Sequence, residues 1–315
     1  MTEPEILADV RAGTGRIRLN RPRQINALTV PMMHTISGLL ADFAADDAVI
    51  SVELTGSGER GLCAGADVRA LRELALTGGD VRDFFETEYG VNLAIAEFAK
   101  PYRAVMTGIT MGGGLGISAH GSLRVVDATS RLAMPETQIG LFPDVLMTPL
   151  LARMPAEVGT HLALTGAAVN ATDAVRLGLA DEIAGEAPPP DAVLAAGWIA
   201  ECYAGDDPVE ILGRLAEHGD PEARATAADL RERSPLSVAV TLEAVRRAAS
   251  IEHLPDLLPT ELGLAIRLAT GPDFAEGVRA QLVDRDRNPH WSHAGIEDVS
   301  RDEVLSYFDP LQASR

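Results

Sequence analysis

Cationic side chains are scarce. The 315-residue chain sets 27 Lys and Arg against 46 Asp and Glu, a net charge of −19, and Lys100 is its only lysine. A surface this negative attracts neither nucleic acid nor an anionic membrane. Cysteine is almost missing too. Cys63 and Cys202 are too few for a disulfide framework or a cysteine metal site. Cys63 alone could pass for a nucleophile, but no His or Asn constellation accompanies it, and it reads as a small buried residue. The seven histidines show no paired ligand spacing, so no metal is implied. Aromatic residues make up only 4%, yet the hydrophobic fraction reaches 46%, and the length suffices for a core of about 200 residues with an appended region. No run is long and apolar without interruption. The uncharged window 104–123 is broken by glycines, Thr107, Thr110, Ser118 and His120, which makes it a poor membrane span. The first residues lack a basic, apolar and small-residue leader pattern, which predicts a cytoplasmic protein.

What the chain does have is glycine at two corners and carboxylates downstream of them. Gly112, Gly113 and Gly114 follow Ile109-Thr110-Met111, and a second corner is Cys63-Ala64-Gly65-Ala66-Asp67. Consecutive glycines persist where a backbone turns with positive φ or must approach a ligand. An oxyanion formed from a thioester carbonyl needs two N–H donors about 2.7–3.1 Å away, and bare backbone supplies them without obstruction. The glycine run is expected to open a helix through Leu115 and Ser118-Ala119, leaving first-turn N–H groups free. Taken alone, the run reads first as a tight packing turn, and its context is what turns the reading toward a site. Downstream, Glu136 and Asp144 lie in a stretch containing Met134, Ile139, Leu141 and Phe142. Two acids in a partly apolar setting can divide base and acid work, because their pKa values are pushed apart. A bend at Gly140 and Pro143 would turn both to one side. Asp144 also stands where a helix could begin, so an N-cap role competes with a chemical one.

Several motifs occur in a recognisable order: LNRPRQINALT (19–29), GLCAGAD (61–67), KPYRAVMTGITMGGGLG (100–116), AMPETQIGLFPD (133–144) and LALTG (162–166). With them the chain resembles the crotonase, or enoyl-CoA hydratase/isomerase, superfamily. FFETEY (84–89), the GLFPD ending and FAEGVRAQLVDRDRNPHW (274–291) are similar to the 3-hydroxyisobutyryl-CoA hydrolase branch. The resemblance implies an α/β fold, a spiral of ββα units followed by a C-terminal helical region. It implies an oxyanion hole from the N–H groups of Ala66 and Gly113. Glu136 matches the carboxylate that acts on the thioester, as nucleophile or as base for water, and Asp144 matches the second carboxylate. Glu88 matches an acid that accepts the hydrogen bond of a 3-hydroxyl group. Gly112, Gly114, Arg23, Ile25, Ala64 and Asp67 complete the substrate contacts. The implied substrate is a short 3-hydroxyacyl-CoA, as in valine degradation, with no cofactor besides its CoA, and the assembly is a trimer or paired trimer.

Two departures matter. Hydratases of the superfamily carry a second glutamate just after the glycine run, where this chain has Gly116. The hydrolase branch follows FPDV with small, glycine-type residues, where this chain has Leu146-Met147-Thr148, a bulkier wall that would narrow the acyl pocket or move the helix start. Three readings follow: a CoA-thioester hydrolase, a hydratase or isomerase with one glutamate of the usual pair, and a CoA-binding subunit without catalysis. A CoA ligand on so negative a protein needs local cations, and Arg21, Arg23 and Arg69 lie near the corners.

The coarse pattern predicts strands at 16–20, 49–54, 101–106, 123–127, 130–134 and 180–183. Helices are expected at 30–43 behind a Thr29 cap, at 67–75, 81–98 and 169–177, and through most of the chain beyond 190. Three prolines in 185–190 mark the best boundary, dividing a core with the thioester site (1–185) from a mainly helical region (186–315). The alternating charges Asp284-Arg285-Asp286-Arg287 suggest a local salt network.

Overall fold

A computed structural model describes residues 3–311. In chain order it forms β1 (Ile6–Arg11), β2 (Thr14–Leu19), α1 (Val30–Ala45), β3 (Ser51–Gly56), α2 (Val68–Leu76), α3 (Val81–Ala96) and β4 (Tyr102–Val105). There follow β5 (Ile109–Met111), the single turn α4 (Gly113–Gly116), β6 (Leu123–Asp127), β7 (Arg131–Ala133), α5 (Thr148–Ala152), α6 (Val158–Thr165), α7 (Ala171–Arg176) and β8 (Glu182–Ala184). Beyond them come α8 (Gly197–Cys202), α9 (Pro208–Glu217), α10 (Pro221–Arg231), α11 (Pro235–Ala248), α12 (Leu254–Thr270), α13 (Pro272–Val278) and α14 (Arg301–Ser306). The chain divides into two compact units that interleave along the sequence, which a single cut after residue 185 does not capture. One comprises Met1–Asp67, Glu86–Ala133 and Ala168–Asp191; the other comprises Val68–Phe85, Met134–Ala167 and Ala192–Arg315. The last crossing, at Asp191–Ala192, follows the proline run; the earlier ones carry no such punctuation.

The first unit holds the sheets. The larger runs β1-β2-β3-β4-β6-β8 and the smaller is β5-β7. β1 and β2 are antiparallel, and every other pair is parallel. After β3 the chain delivers strands alternately, β4 then β5 and β6 then β7, one to each sheet. That alternation is the spiral expected from the resemblance. Isolated bridges Gly61↔Gly108 and Cys63↔Thr110 lay the Cys63 corner along β5, and Leu132↔Val169 adds a segment beside β7. Helix α1 forms as its sequence dictates. The Thr29 hydroxyl accepts from Met32 N–H, and Met32, Met33, Ile36, Leu40 and Phe43 turn one face inward. At its other end Lys100 Nζ donates to Phe43 O at 2.6 Å and Asp46 O at 2.8 Å, a cation on orphan carbonyls.

Strands β1 and β5 had no forecast. β1 mixes exposed Asp9, Val10 and Arg11, so it lacks alternation, and β5 is three residues long. The helix after the glycines is one turn, not the longer segment expected: Ile117 already has φ −89° and ψ 0°, and turns continue to Gly121. No helix among the described residues is long and apolar enough to cross a membrane.

The second unit is helical. Ser234 caps α11, accepting from Ser237 N–H at 3.2 Å while donating to Asp273 Oδ2 at 2.6 Å. The predicted salt network exists but centres on Arg279, which binds Glu276, Asp284 and Asp286.

Candidate active site

Within the first unit the three glycines do three different things. Gly112 has φ 49° and ψ −124°, a conformation open essentially to glycine alone. A Cβ on Gly114 would stand 2.9 Å from Cys63 Cβ and nearer still to Cys63 O, so its absence lets the two corners pack. A Cβ on Gly113 would fall under 3.0 Å from Glu88 Oε1 and 3.2 Å from Ala66 N. Glycine there brings the first corner, the second corner and the Glu88 carboxylate together.

Most N–H groups around these corners are committed. Cys63 donates to Ile109 O (3.2 Å), Ala64 to Ile25 O (2.9 Å), Asp67 to Leu28 O (2.8 Å) and Gly112 to Ala133 O (3.2 Å). The N–H groups of Ala66 and Gly113, and that of Gly114 beside it, donate to no acceptor among the described residues. Gly113 is buried and Ala66 half-buried; backbone donors without an acceptor are rare in buried turns, and such donors together invite an anionic oxygen. Glu88, on α3, is 2% exposed.

Asn26 organises this corner. It is buried, and its Oδ1 accepts from Arg21 N–H at 2.9 Å while Nδ2 donates to Ser57 O (3.1 Å) and Leu62 O (2.9 Å). Its φ of 54° and that of Ile25, 48°, bend the chain so that Ile25 O meets Ala64 N–H. Sequence reasoning passed over Asn26; the available signal was an Asn, tolerant of left-handed backbone, between apolar neighbours. Cys63 is confirmed as a packed residue: its Sγ donates to Asn26 O at 3.2 Å, and burial pushes its thiol up to about 12, leaving no thiolate for attack.

The arginines differ in their commitments. Arg21 pairs with Glu5 (3.0 Å) and Asp67 (3.2 Å) and donates to Ala27 O, so it and Asp67 hold the corner rather than standing as free charges. Arg69, in the second unit, donates to Leu282 O. Arg23 is exposed, its carbonyl accepting from Arg60.

In the second unit Glu136 opens a short 3₁₀ turn, Glu136–Ile139, after Pro135. It is 7% exposed. The turn is pinned by Thr137, whose hydroxyl donates to Leu164 O (3.0 Å) and whose carbonyl accepts from Ser234 N–H (3.2 Å). The bend expected at Gly140 is present, with φ 74°; a Cβ there would strike Asp273 and Phe274, the latter's N at 2.6 Å. Asp144, 6% exposed, is not a helix cap: α5 starts at Thr148. Instead Asp144 O accepts from Met147 N–H at 3.0 Å, closing a β-turn whose central residues Val145 (φ 50°) and Leu146 (φ 61°) are both left-handed. Turns with two positive φ values belong to glycine and asparagine, and each L-residue there costs about 1–2 kcal/mol. Val145, Leu146 and Met147 are buried. Of the positions where the resembling branch has small residues, Leu146 is the one whose left-handed backbone favours them.

That turn has an outside partner which sequence reasoning missed. Glu261, on α12, accepts from Leu146 N–H at 2.8 Å through Oε2 and from the Thr148 hydroxyl at 2.6 Å through Oε1. Its burial, then the negative charge of Asp144, push its pKa up to about 8, against the hydrogen bond from Thr148. No local pattern could have shown a partner 115 residues away. Among the described residues no group of three or more His, Cys, Asp or Glu is placed to hold a metal.

A two-sheet spiral whose glycine corners present two available N–H donors defines an α/β protein of the crotonase class. The chain belongs to the enoyl-CoA hydratase/isomerase family, whose sequence pattern matches residues 14–188 and 182–308. It is 34% identical to "3-hydroxyisobutyryl-CoA hydrolase, mitochondrial" of Gallus gallus, over 98% of this chain and 89% of that protein. The human protein of the same name is 32% identical, over 98% and 90%. Both names carry the word mitochondrial, which lends no support to the cytoplasmic expectation. Among solved structures, a carnitinyl-CoA dehydratase from Mycobacterium thermoresistibile superposes with a TM-score of 0.93 at 40% identity, covering 98% of this chain and 97% of its own. An enoyl-CoA hydratase from Rhodobacter sphaeroides gives 0.93 at 35%, with 98% of each chain covered.

Proposed function

We propose that the protein hydrolyses a short-chain acyl-CoA thioester, with a 3-hydroxyacyl group such as 3-hydroxyisobutyryl as its substrate and valine breakdown as its setting. The observation that carries the thioester reading is the pair of N–H groups, Ala66 and Gly113, that donate to no acceptor among the described residues. Aimed at the thioester oxygen, they would stabilise the charge that develops when the carbonyl carbon is attacked. Glu136 supplies the carboxylate, either by attacking that carbon to form an anhydride that water then opens, or by taking a proton from the attacking water. The carbon–sulfur bond breaks in either route, and Asp144 gives the departing thiolate a proton or orients the water. Glu88, beside Gly113, accepts a hydrogen bond from the substrate's 3-hydroxyl. Gly112 and Gly114 keep the corner bare, Ile25 and Ala64 shape its entrance, Arg23 is the cation available to a CoA phosphate, and Asp67 acts by holding Arg21. A trimeric or paired-trimeric assembly belongs to the same reading and is tested by sedimentation.

Hydration is the second reading, favoured by the names of the two solved structures at 40% and 35% identity. Against it stands Gly116, which offers no carboxylate where two-glutamate hydratases carry their second acid. The test is thiol release from 3-hydroxyisobutyryl-CoA, run beside hydration of crotonyl-CoA on one purified sample. Thiol release without hydration is expected. Hydration without thiol release would overturn the hydrolase reading.

A further inference from the structure

The geometry points to Glu261 as a positioning residue that holds the Asp144 turn in its left-handed form. The inference rests on the proposed role of Asp144, and it follows from the turn itself. Asp144 is the first residue of a β-turn closed by Met147 N–H, and both central residues, Val145 and Leu146, have positive φ. Neither residue type favours that backbone, and a β-branched valine tolerates it least. An outside restraint must keep the turn from relaxing to negative φ, a change that would swing the Asp144 side chain away from its present direction.

Glu261 is placed as that restraint. Its two oxygens accept from two points of the segment, Leu146 N–H within the turn and the Thr148 hydroxyl at the start of α5. One carboxyl group thereby ties the turn to the helix that follows it. Glu261 is itself 1% exposed, so the tie excludes water and cannot be replaced by it. Where a chain has small residues in such a turn, the backbone adopts the form unaided. This chain, with valine and leucine there, depends on the carboxyl group.

Substitution separates the tie from the charge. Glu261→Gln can keep both hydrogen bonds, its carbonyl accepting from Leu146 N–H and its amide donating to the Thr148 oxygen, whereas Glu261→Ala loses both. On 3-hydroxyisobutyryl-CoA the Ala variant is expected to lose about 10–100-fold in kcat, with KM changed less than about threefold, as a catalytic group displaced by about an ångström would. The Gln variant should recover most of that loss. In a Leu146→Gly background, where only Val145 is still held against its preference, Glu261→Ala should cost several-fold less. Hydrogen exchange of the Leu146 amide, read by NMR, is expected to speed at least tenfold in Glu261→Ala and little in Glu261→Gln. Equal kcat losses in both Leu146 backgrounds, or a Gln variant as impaired as Ala, would overturn the inference. Should the wild-type enzyme release no thiol, the hydrolase reading fails by itself, and the exchange rates alone then decide: unchanged exchange in Glu261→Ala sinks the restraint.

Discussion

Adding one methyl group to Gly113 tests the donor corner where it is tightest. The new carbon would lie under 3.0 Å from Glu88 Oε1, 3.2 Å from Ala66 N and 3.5 Å from Leu28 Cδ1. Glu88 is buried, so its carboxylate cannot simply swing into water; the side chain or the backbone must shift, at the usual overpacking cost of about 1–3 kcal/mol. The methyl also stands beside Ala66 N, in space that an oxygen bound by both donors would occupy. Losing one such donor costs about 10²–10³ in kcat, or about 2.7–4 kcal/mol of transition-state stabilisation. Gly113→Ala should therefore lose at least about a hundredfold in thiol release, beyond anything its modest loss of stability explains. Gly114→Ala is the control. Its Cβ would press on the Cys63 backbone, so it should cost more stability in urea melts and proportionately less kcat. Full turnover in Gly113→Ala, with the expected loss of stability present, would show that Gly113 does not bind the developing oxyanion.

Other substitutions probe the remaining groups. Glu136→Gln keeps volume and removes charge, so thiol release should fall by about a thousandfold or more while CoA binding by calorimetry holds; unchanged turnover would take Glu136 out of the chemistry. Glu88→Gln should weaken kcat/KM for 3-hydroxyacyl-CoA substrates selectively, and an equal loss on an unsubstituted acyl-CoA would contradict its contact with the hydroxyl. Cys63→Ala should stay active, with a modest loss of stability, because burial holds the thiol at about 12; an inactive but folded variant would restore it as a nucleophile. The pKa of Glu261, raised from 4.5 to about 8, means the folded state binds a proton that the unfolded chain releases. Its stabilising contribution is complete below pH 4.5 and is lost as pH rises to about 8, so wild type should lose up to about 5 kcal/mol relative to Glu261→Gln across that window. A pH-independent difference between the two denaturation profiles would refute this.

Legibility followed the range of the interactions involved. The α1 helix was readable because its cap, Thr29, and its apolar stripe lie within the helix itself. Strand β6 (Leu123–Asp127) matched its forecast to the residue. β1 was not readable, since an edge strand with Asp9 and Arg11 on it shows no alternation. β5 was hidden by its length, and its partners come from distant segments, β7 on one side and the Cys63 corner on the other. The over-long helix after the glycines came from trusting apolar residues beyond Gly116, where glycine weakens the helix.

The same division separates the two halves of the proposed chemistry. The donor corner is marked locally: Gly112 supplies a backbone form, Gly113 a clearance and Gly114 a packing contact, so three consecutive letters draw attention to it, and the ordered motifs around them give it a meaning. The acids are written at long range. Gly140 turns against Asp273 and Phe274, Thr137 accepts from Ser234, and the Asp144 turn leans on Glu261. Each of those partners lies in the C-terminal helices, where the sequence offers only periodic apolar residues and where a lone Glu on α12 looks like any solvated charge. Changes in those helices should therefore disturb Asp144 and Glu136 while the Ala66 and Gly113 donors keep their places.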